Sequence, residues 1–148
     1  ADGFTSTDLL NGAVPVISWV KRQKAGDPFP DCGEDRIFSP LELLKTLSPR
    51  PTHAVISIGG NDVREILGRM SALPEIMERF QANYSDILAR VSKVVPNVVL
   101  MFQYRPSLAD VGGYGVYQAI GSLPGPGDAV AKLNHLMETM YQPVLLAA

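Results

Sequence analysis

The sequence predicts an α/β domain organised around parallel strands, on three observations. His53–Ile58 and Val98–Phe102 are mainly apolar runs with β-branched residues and no polar alternation, the pattern of strands buried on both faces. The stretch between them has helical spacing, so the chain crosses over by helix and returns parallel, as a right-handed βαβ unit. The first run stops at Gly59-Gly60-Asn61-Asp62, two glycines and two short polar side chains at a strand's carboxyl end. Glycines there permit a sharp turn, and open α/β sheets place their ligand sites at that edge.

Taken in order, the chain opens with a glycine among Thr, Ser and Asp residues and turns apolar from Leu9 to Val20. Thr7 or Asp8 is placed to cap a short helix from Leu9, which Gly12 and Pro15 interrupt. Lys21–Ile37 is polar, holds Gly26, Pro28, Pro30 and Gly33, and reads as an exposed loop. Cys32 lies in it beside Asp31 and Glu34, whose charges disfavour a thiolate, so it reads as a plain surface thiol. Ser39-Pro40-Leu41-Glu42 is a helix start: Ser as N-cap, Pro at the first position, Glu to close a capping box. That helix should run to about Leu47 and end before Ser48-Pro49.

After the first strand, Val63, Ile66, Leu67 and Met70 recur at helical spacing. Pro74 punctuates, and Ile76, Met77, Phe80, Tyr84, Ile87, Leu88 and Val91 form the apolar stripe of a longer helix. Its polar face carries Glu75, Glu78, Arg79, Asp86, Arg90 and Lys93, and the stripe reads as a core face rather than a lipid-binding one. Gln103–Asp128 reads as a long glycine- and proline-rich loop after the second strand. Tyr104, Tyr114 and Tyr117 on it line either an acyl or sugar pocket or a packed surface. Asp128 is the expected N-cap of a last helix, Ala129 to about Tyr141, ending before Pro143.

The chain's 148 residues fit one domain with a sizeable core, and 46% hydrophobic and 19% charged residues are ordinary globular values. A net charge of −2 gives no reason to expect nucleic acid or acidic lipid as partner. No apolar run is long enough to span a bilayer. One cysteine excludes an internal disulfide and leaves the compartment open. The chain begins with Ala rather than Met and without a signal-peptide pattern, and reads as a processed or trimmed product. No cofactor and no metal are expected. His135 and Glu138, at i and i+3, could form half a metal site, but no Cys or second His is spaced to complete it. His53 begins a strand, the wrong end of a sheet for catalysis.

Asn61 is an amide donor on a strand-end turn, suited to a developing oxyanion. Ser57-Ile58-Gly59-Gly60-Asn61-Asp62 resembles the Gly-X-Asn-Asp block of the SGNH (GDSL-type) ester hydrolases. Asp2-Gly3-Phe4-Thr5-Ser6-Thr7-Asp8-Leu9-Leu10 is similar to that family's second block. The resemblance implies a flavodoxin-like three-layer α/β/α fold with a parallel sheet of about five strands. Two of these are visible here, so the sheet is incomplete within the chain. It also implies that Asn61 and the Gly3 N–H are oxyanion-hole donors, with Gly60, Asp62 and Tyr104 at the binding site. Gly3 read without the resemblance is a turn glycine before a helix. The family's Gly-Asp-Ser nucleophile block and its closing Asp-X-X-His are not in this sequence.

The functional expectation is a portion of an SGNH/GDSL-type serine ester hydrolase (an esterase, lipase or acylhydrolase). It would carry the oxyanion-hole blocks without nucleophile or base, so the chain alone should be inactive. Its partner would be a small-molecule ester, and another chain could complete the sheet. The alternatives are an inactive SGNH-like pseudoenzyme or binding module, and a different flavodoxin-like domain with Gly59-Gly60 facing a phosphate. Against the last, no glycine-rich phosphate fingerprint opens a helix.

Overall fold

The computed structural model describes residues 5–12, 39–101 and 114–147. It is a mixed α/β arrangement, mostly helical, with a two-stranded parallel sheet. The elements are α1 (Ser6–Asn11), α2 (Pro40–Thr46), β1 (His53–Ser57), α3 (Gly60–Gly68), a 3-10 turn (Met70–Ala72), α4 (Leu73–Ser92), β2 (Asn97–Met101), α5 (Tyr114–Gly121) and α6 (Ala129–Ala147).

The long helix α4 is the hub. Its stripe of Ile76, Phe80, Tyr84, Ile87 and Val91 is buried, and α1, α2, α3, α6 and β2 all pack against it. Burying five large apolar side chains on one helix face outweighs anything helix propensity could add. The stripe expected from sequence is the core face, and Pro74 lies in the first turn, where its missing N–H costs nothing. Ser39 caps α2 as expected, accepting from the Glu42 N–H, and Pro40 opens the helix. The Glu42 side chain instead bonds Lys45 at 2.7 Å, so the reciprocal half of the capping box is not made.

β1 and β2 run parallel with His53 opposite Asn97 and Ser57 opposite Met101. The expectation that both strands are buried on two faces is corrected. Ile56 is buried and Ala54, Val98 and Leu100 are half-buried, but the alternate residues Val55, Val99 and Met101 are 62%, 51% and 51% exposed. Apolar runs permit burial on both faces; among the described residues only one face has a layer packed on it.

Three further expectations are corrected. α1 begins at Ser6 rather than Leu9, capped by Thr5 and not by Thr7 or Asp8. The Thr5 hydroxyl accepts from the Asp8 N–H while the Asp8 carboxylate accepts from the Thr5 N–H at 2.9 Å, a reciprocal capping box. The stretch expected as one long loop contains α5, whose Ile120 is buried, and Leu123 just beyond is buried too. Glycines weaken a helix without forbidding one when its apolar face is covered.

α6 does not stop before Pro143 but runs through it to Ala147. A proline leaves the carbonyl four residues back without its helical donor. Here that carbonyl is Thr139's, and it accepts from the Gln81 side chain of α4 at 3.2 Å. Buried Val144 anchors the turn beyond. The start of α6 is as expected, with Asp128 accepting from the Ala131 N–H at 2.9 Å. No helix among the described residues is long and apolar enough to cross a membrane.

Candidate functional site

The candidate site is the turn from β1 into α3. Gly59 is the N-cap of α3 and takes φ 123°, ψ −18°, a region that side chains other than glycine's rarely adopt. A Cβ there would collide with the Tyr141 hydroxyl and lie 3.1 Å from Phe80 Cε2. The close approach is made by Tyr141 itself, whose hydroxyl donates to the Ile58 carbonyl. Beneath the turn the rings of Phe80, Tyr84 and Tyr141 pack with centroids 5.2–5.8 Å apart, two of the three pairs edge-on. The turn therefore rests on a rigid aromatic floor.

Helix α3 starts at Gly60, so Asn61 and Asp62 belong to its first turn, not to a loop ahead of it. Asn61 is half-buried. Asp62 is fully buried, and its carboxylate is turned to Ser6, the first residue of α1. The Ser6 N–H lies 3.2 and 2.9 Å from the two carboxylate oxygens, and the Ser6 hydroxyl donates to Oδ1 at 2.7 Å. A first-turn N–H has no acceptor within its own helix, and Asp62 supplies one. Asn83 of α4 completes the cluster, donating to Ser6 Oγ at 3.2 Å and Thr7 Oγ1 at 2.9 Å.

Burial pushes the Asp62 carboxyl above the ordinary carboxylate range. The Ser6 hydroxyl and N–H, its own backbone N–H and the charge of Arg79 pull the other way and only partly offset it. A buried carboxylate at a strand-end turn, its pKa raised by burial, is a candidate functional-site residue.

Of the residues singled out from sequence, Gly60, Asn61 and Asp62 share this one turn. Asp62 makes an internal bond to Ser6 and presents no oxygen to solvent. Gly3 and Tyr104 lie outside the described residues, as do the side chains of Tyr114 and Tyr117. His53 stands exposed at the far end of β1, next to the Thr52 hydroxyl at 3.0 Å, and His135 is exposed on α6. No group of three metal-ligating side chains is gathered among the described residues.

The Ser6–Asp62 pair was not foreseen, although one signal pointed to it. Thr5-x-x-Asp8 has capping-box spacing, which starts a helix at Ser6 and leaves the Ser6 N–H in need of an acceptor. Compared with known proteins, the chain matches no family model, no curated protein and no solved structure.

Proposed function

We infer that the chain is the central portion of an SGNH-type (GDSL-type) ester hydrolase domain that carries its oxyanion-hole blocks. The observation that supports this most is the Ser6–Asp62 pair. It joins the two segments resembling the family's second and third blocks, 56 residues apart in the chain, by three contacts of 3.2 Å or less. On this reading the two-stranded sheet is part of a flavodoxin-like three-layer fold, and another chain or the rest of a larger protein would supply the remaining strands and cover the exposed side of β1–β2.

The chemistry would be acyl transfer from an ester to water. A serine attacks the ester carbonyl, a histidine takes its proton, and the tetrahedral oxyanion accepts from the Asn61 amide and the Gly3 N–H. Asn61 suits that role because the glycine turn and the aromatic floor hold α3's first turn rigidly, so little reorganisation accompanies charge development. Neither nucleophile nor base is recognisable in this chain. Ser6 is fully buried with its hydroxyl held by Asp62 and Asn83, and both histidines are exposed away from the turn.

The sequestered Ser6 also favours a second reading, an inactive SGNH-like protein or binding module that retains the turn. The encoding sequence on either side discriminates: a Gly-Asp-Ser upstream and an Asp-X-X-His downstream support the first, their absence the second. The 148-residue chain should show no turnover of short p-nitrophenyl esters above background. Robust turnover abolished by Ser6→Ala, with folding intact, would overturn that expectation. In a protein bearing both missing blocks, Asn61→Ala should lower kcat by about 10²–10³ with little change in KM, because the amide bonds the oxyanion better than the ground-state carbonyl. Wild-type kcat in that variant would remove Asn61 from the mechanism.

A further inference from the structure

We propose that Ser6 is a positioning residue for Asn61, holding the first turn of α3 in place through the Asp62 carboxylate. That the placed amide serves catalysis rests on the hydrolase reading above; that Ser6 places it rests on the contacts of the turn alone.

The local sequence does little to hold this helix start. Gly59 and Gly60 are adjacent residues without a Cβ, the backbone least restricted by its own sterics. Gly59 is the N-cap, and a glycine has no side chain to accept from the first-turn N–H groups. The first intrahelical bond runs from the Val63 N–H to the Gly59 carbonyl at 2.9 Å, and the N–H groups ahead of it have no backbone acceptor within the helix.

Two anchors come from distant elements, one on each side of the glycines. Ahead of them, the Tyr141 hydroxyl of α6 donates to the Ile58 carbonyl. Beyond them, Asp62 accepts from the Ser6 hydroxyl at 2.7 Å and from the Ser6 N–H at 2.9 and 3.2 Å. Both carboxylate oxygens are engaged. An aspartate has only two side-chain torsions, so pinning both oxygens leaves its Cα little freedom. The Cα of Asn61 is one peptide unit away, about 3.8 Å.

The Ser6 anchor is itself supported. Asn83 donates to Ser6 Oγ at 3.2 Å and to Thr7 Oγ1 at 2.9 Å, and Leu9 and Leu10 pack against the core. Asn83 lies in α4 between Phe80 and Tyr84, so the helix that supplies two rings of the aromatic floor also supports the second anchor. Ser6 and Asp62 are both fully buried, and a bond lost between them is not simply replaced by bulk water.

The test is NMR relaxation on the labelled full chain, giving order parameters for backbone amides and for the Asn61 side-chain amide. Order parameters report picosecond-to-nanosecond motion of the folded state, so rare global unfolding does not enter them. In the wild type, Gly60, Asn61 and Asp62 should match α4, at about 0.85. Ser6→Ala should lower these three and the Asn61 side chain toward about 0.6, leaving Arg64–Leu67 and the α4 amides of Phe80, Tyr84 and Ile87 unchanged. Asp62→Asn should loosen the same amides, and the double variant should add nothing, because both changes break one clamp. A first turn as rigid in Ser6→Ala as in the wild type overturns the proposal. So do a uniform decline through α3 and α4, additive effects in the double variant, or a wild-type turn already mobile. Should Ser6→Ala not fold, Asp62→Asn and the wild-type values carry the decision. In a protein bearing both missing blocks, Ser6→Ala should lower kcat by up to about 10² with little change in KM, the signature of a misplaced transition-state donor. A loosened Asn61 with wild-type kcat would uphold the positioning and remove the hydrolase reading, so the two fail separately.

Discussion

Replacing Gly59 by alanine should be among the more damaging single-methyl changes available in this chain. Two effects combine. The backbone at φ 123° is strained for any residue bearing a Cβ, at about 1–3 kcal/mol. The added methyl also overlaps the Tyr141 hydroxyl and crowds Phe80 at 3.1 Å, and forcing a methyl into a packed site costs roughly 1–3 kcal/mol more. A loss of about 4 kcal/mol is the central expectation. At about 2–4 °C per kcal/mol for a chain of this size, Tm falls by roughly 10 °C. Urea unfolding read by far-UV circular dichroism should show a lowered midpoint with an unchanged slope.

Tyr141→Phe separates the two effects. Alone it removes the donor to the Ile58 carbonyl and should cost about 1–2 kcal/mol. In the Gly59→Ala background it also removes the colliding oxygen, so it should cost nothing or restore stability, a coupling of at least about 1 kcal/mol. The backbone strain remains in both. A Gly59→Ala loss under about 1 kcal/mol would refute the account of the turn, and strictly additive effects would show that the hydroxyl is not the obstacle.

Tyr84→Phe should be neutral or slightly stabilising near pH 7, since the fully buried Tyr84 hydroxyl finds no hydrogen-bond partner among the described residues. Burial pushes that phenol up to about 12 from its usual 10, so its neutral form supports folding below pH 10 and the support is lost as pH rises to 12. Wild-type stability should thus fall by about 2–3 kcal/mol more than the variant's over that window; equal declines would contradict it. Gln81→Ala should cost about 1 kcal/mol because it strands the Thr139 carbonyl, and that cost should shrink beside Pro143→Ala, which returns a backbone donor to it. Chemical denaturation of the two single variants and the double variant measures the difference.

Much of the local structure was legible in the sequence, because its causes are local. Ser39-Pro40 starts a helix wherever it occurs with free backbone ahead of it, and α2 begins there. The three- and four-residue spacing of Ile76, Phe80, Tyr84, Ile87 and Val91 admits one helix face, and that face is buried. The two β-branched runs became strands, parallel as a helical crossover requires. The glycines of the turn were recognisable as a place where backbone must bend sharply.

What the sequence left open depends on which distant residue arrives. Pro143 is a helix stop by its own chemistry, and α6 passes it because Gln81, 58 positions before Thr139, reaches the Thr139 carbonyl that Pro143 leaves free. Apolar strands state that burial is acceptable on both faces, but only the packed helices determine which face receives it, so Val55 and Val99 remain exposed. Gly59 looked like a generic turn residue until Tyr141, from the last helix, closed on its Cα. Asp62 is the clearest case. Alone in the sequence it is a polar side chain next to Asn61, free to face a ligand. Ser6, 56 positions away, turns it into a buried internal acceptor, because an unsatisfied helix-start N–H and a carboxylate in the first turn of α3 satisfy each other better than either would unpaired.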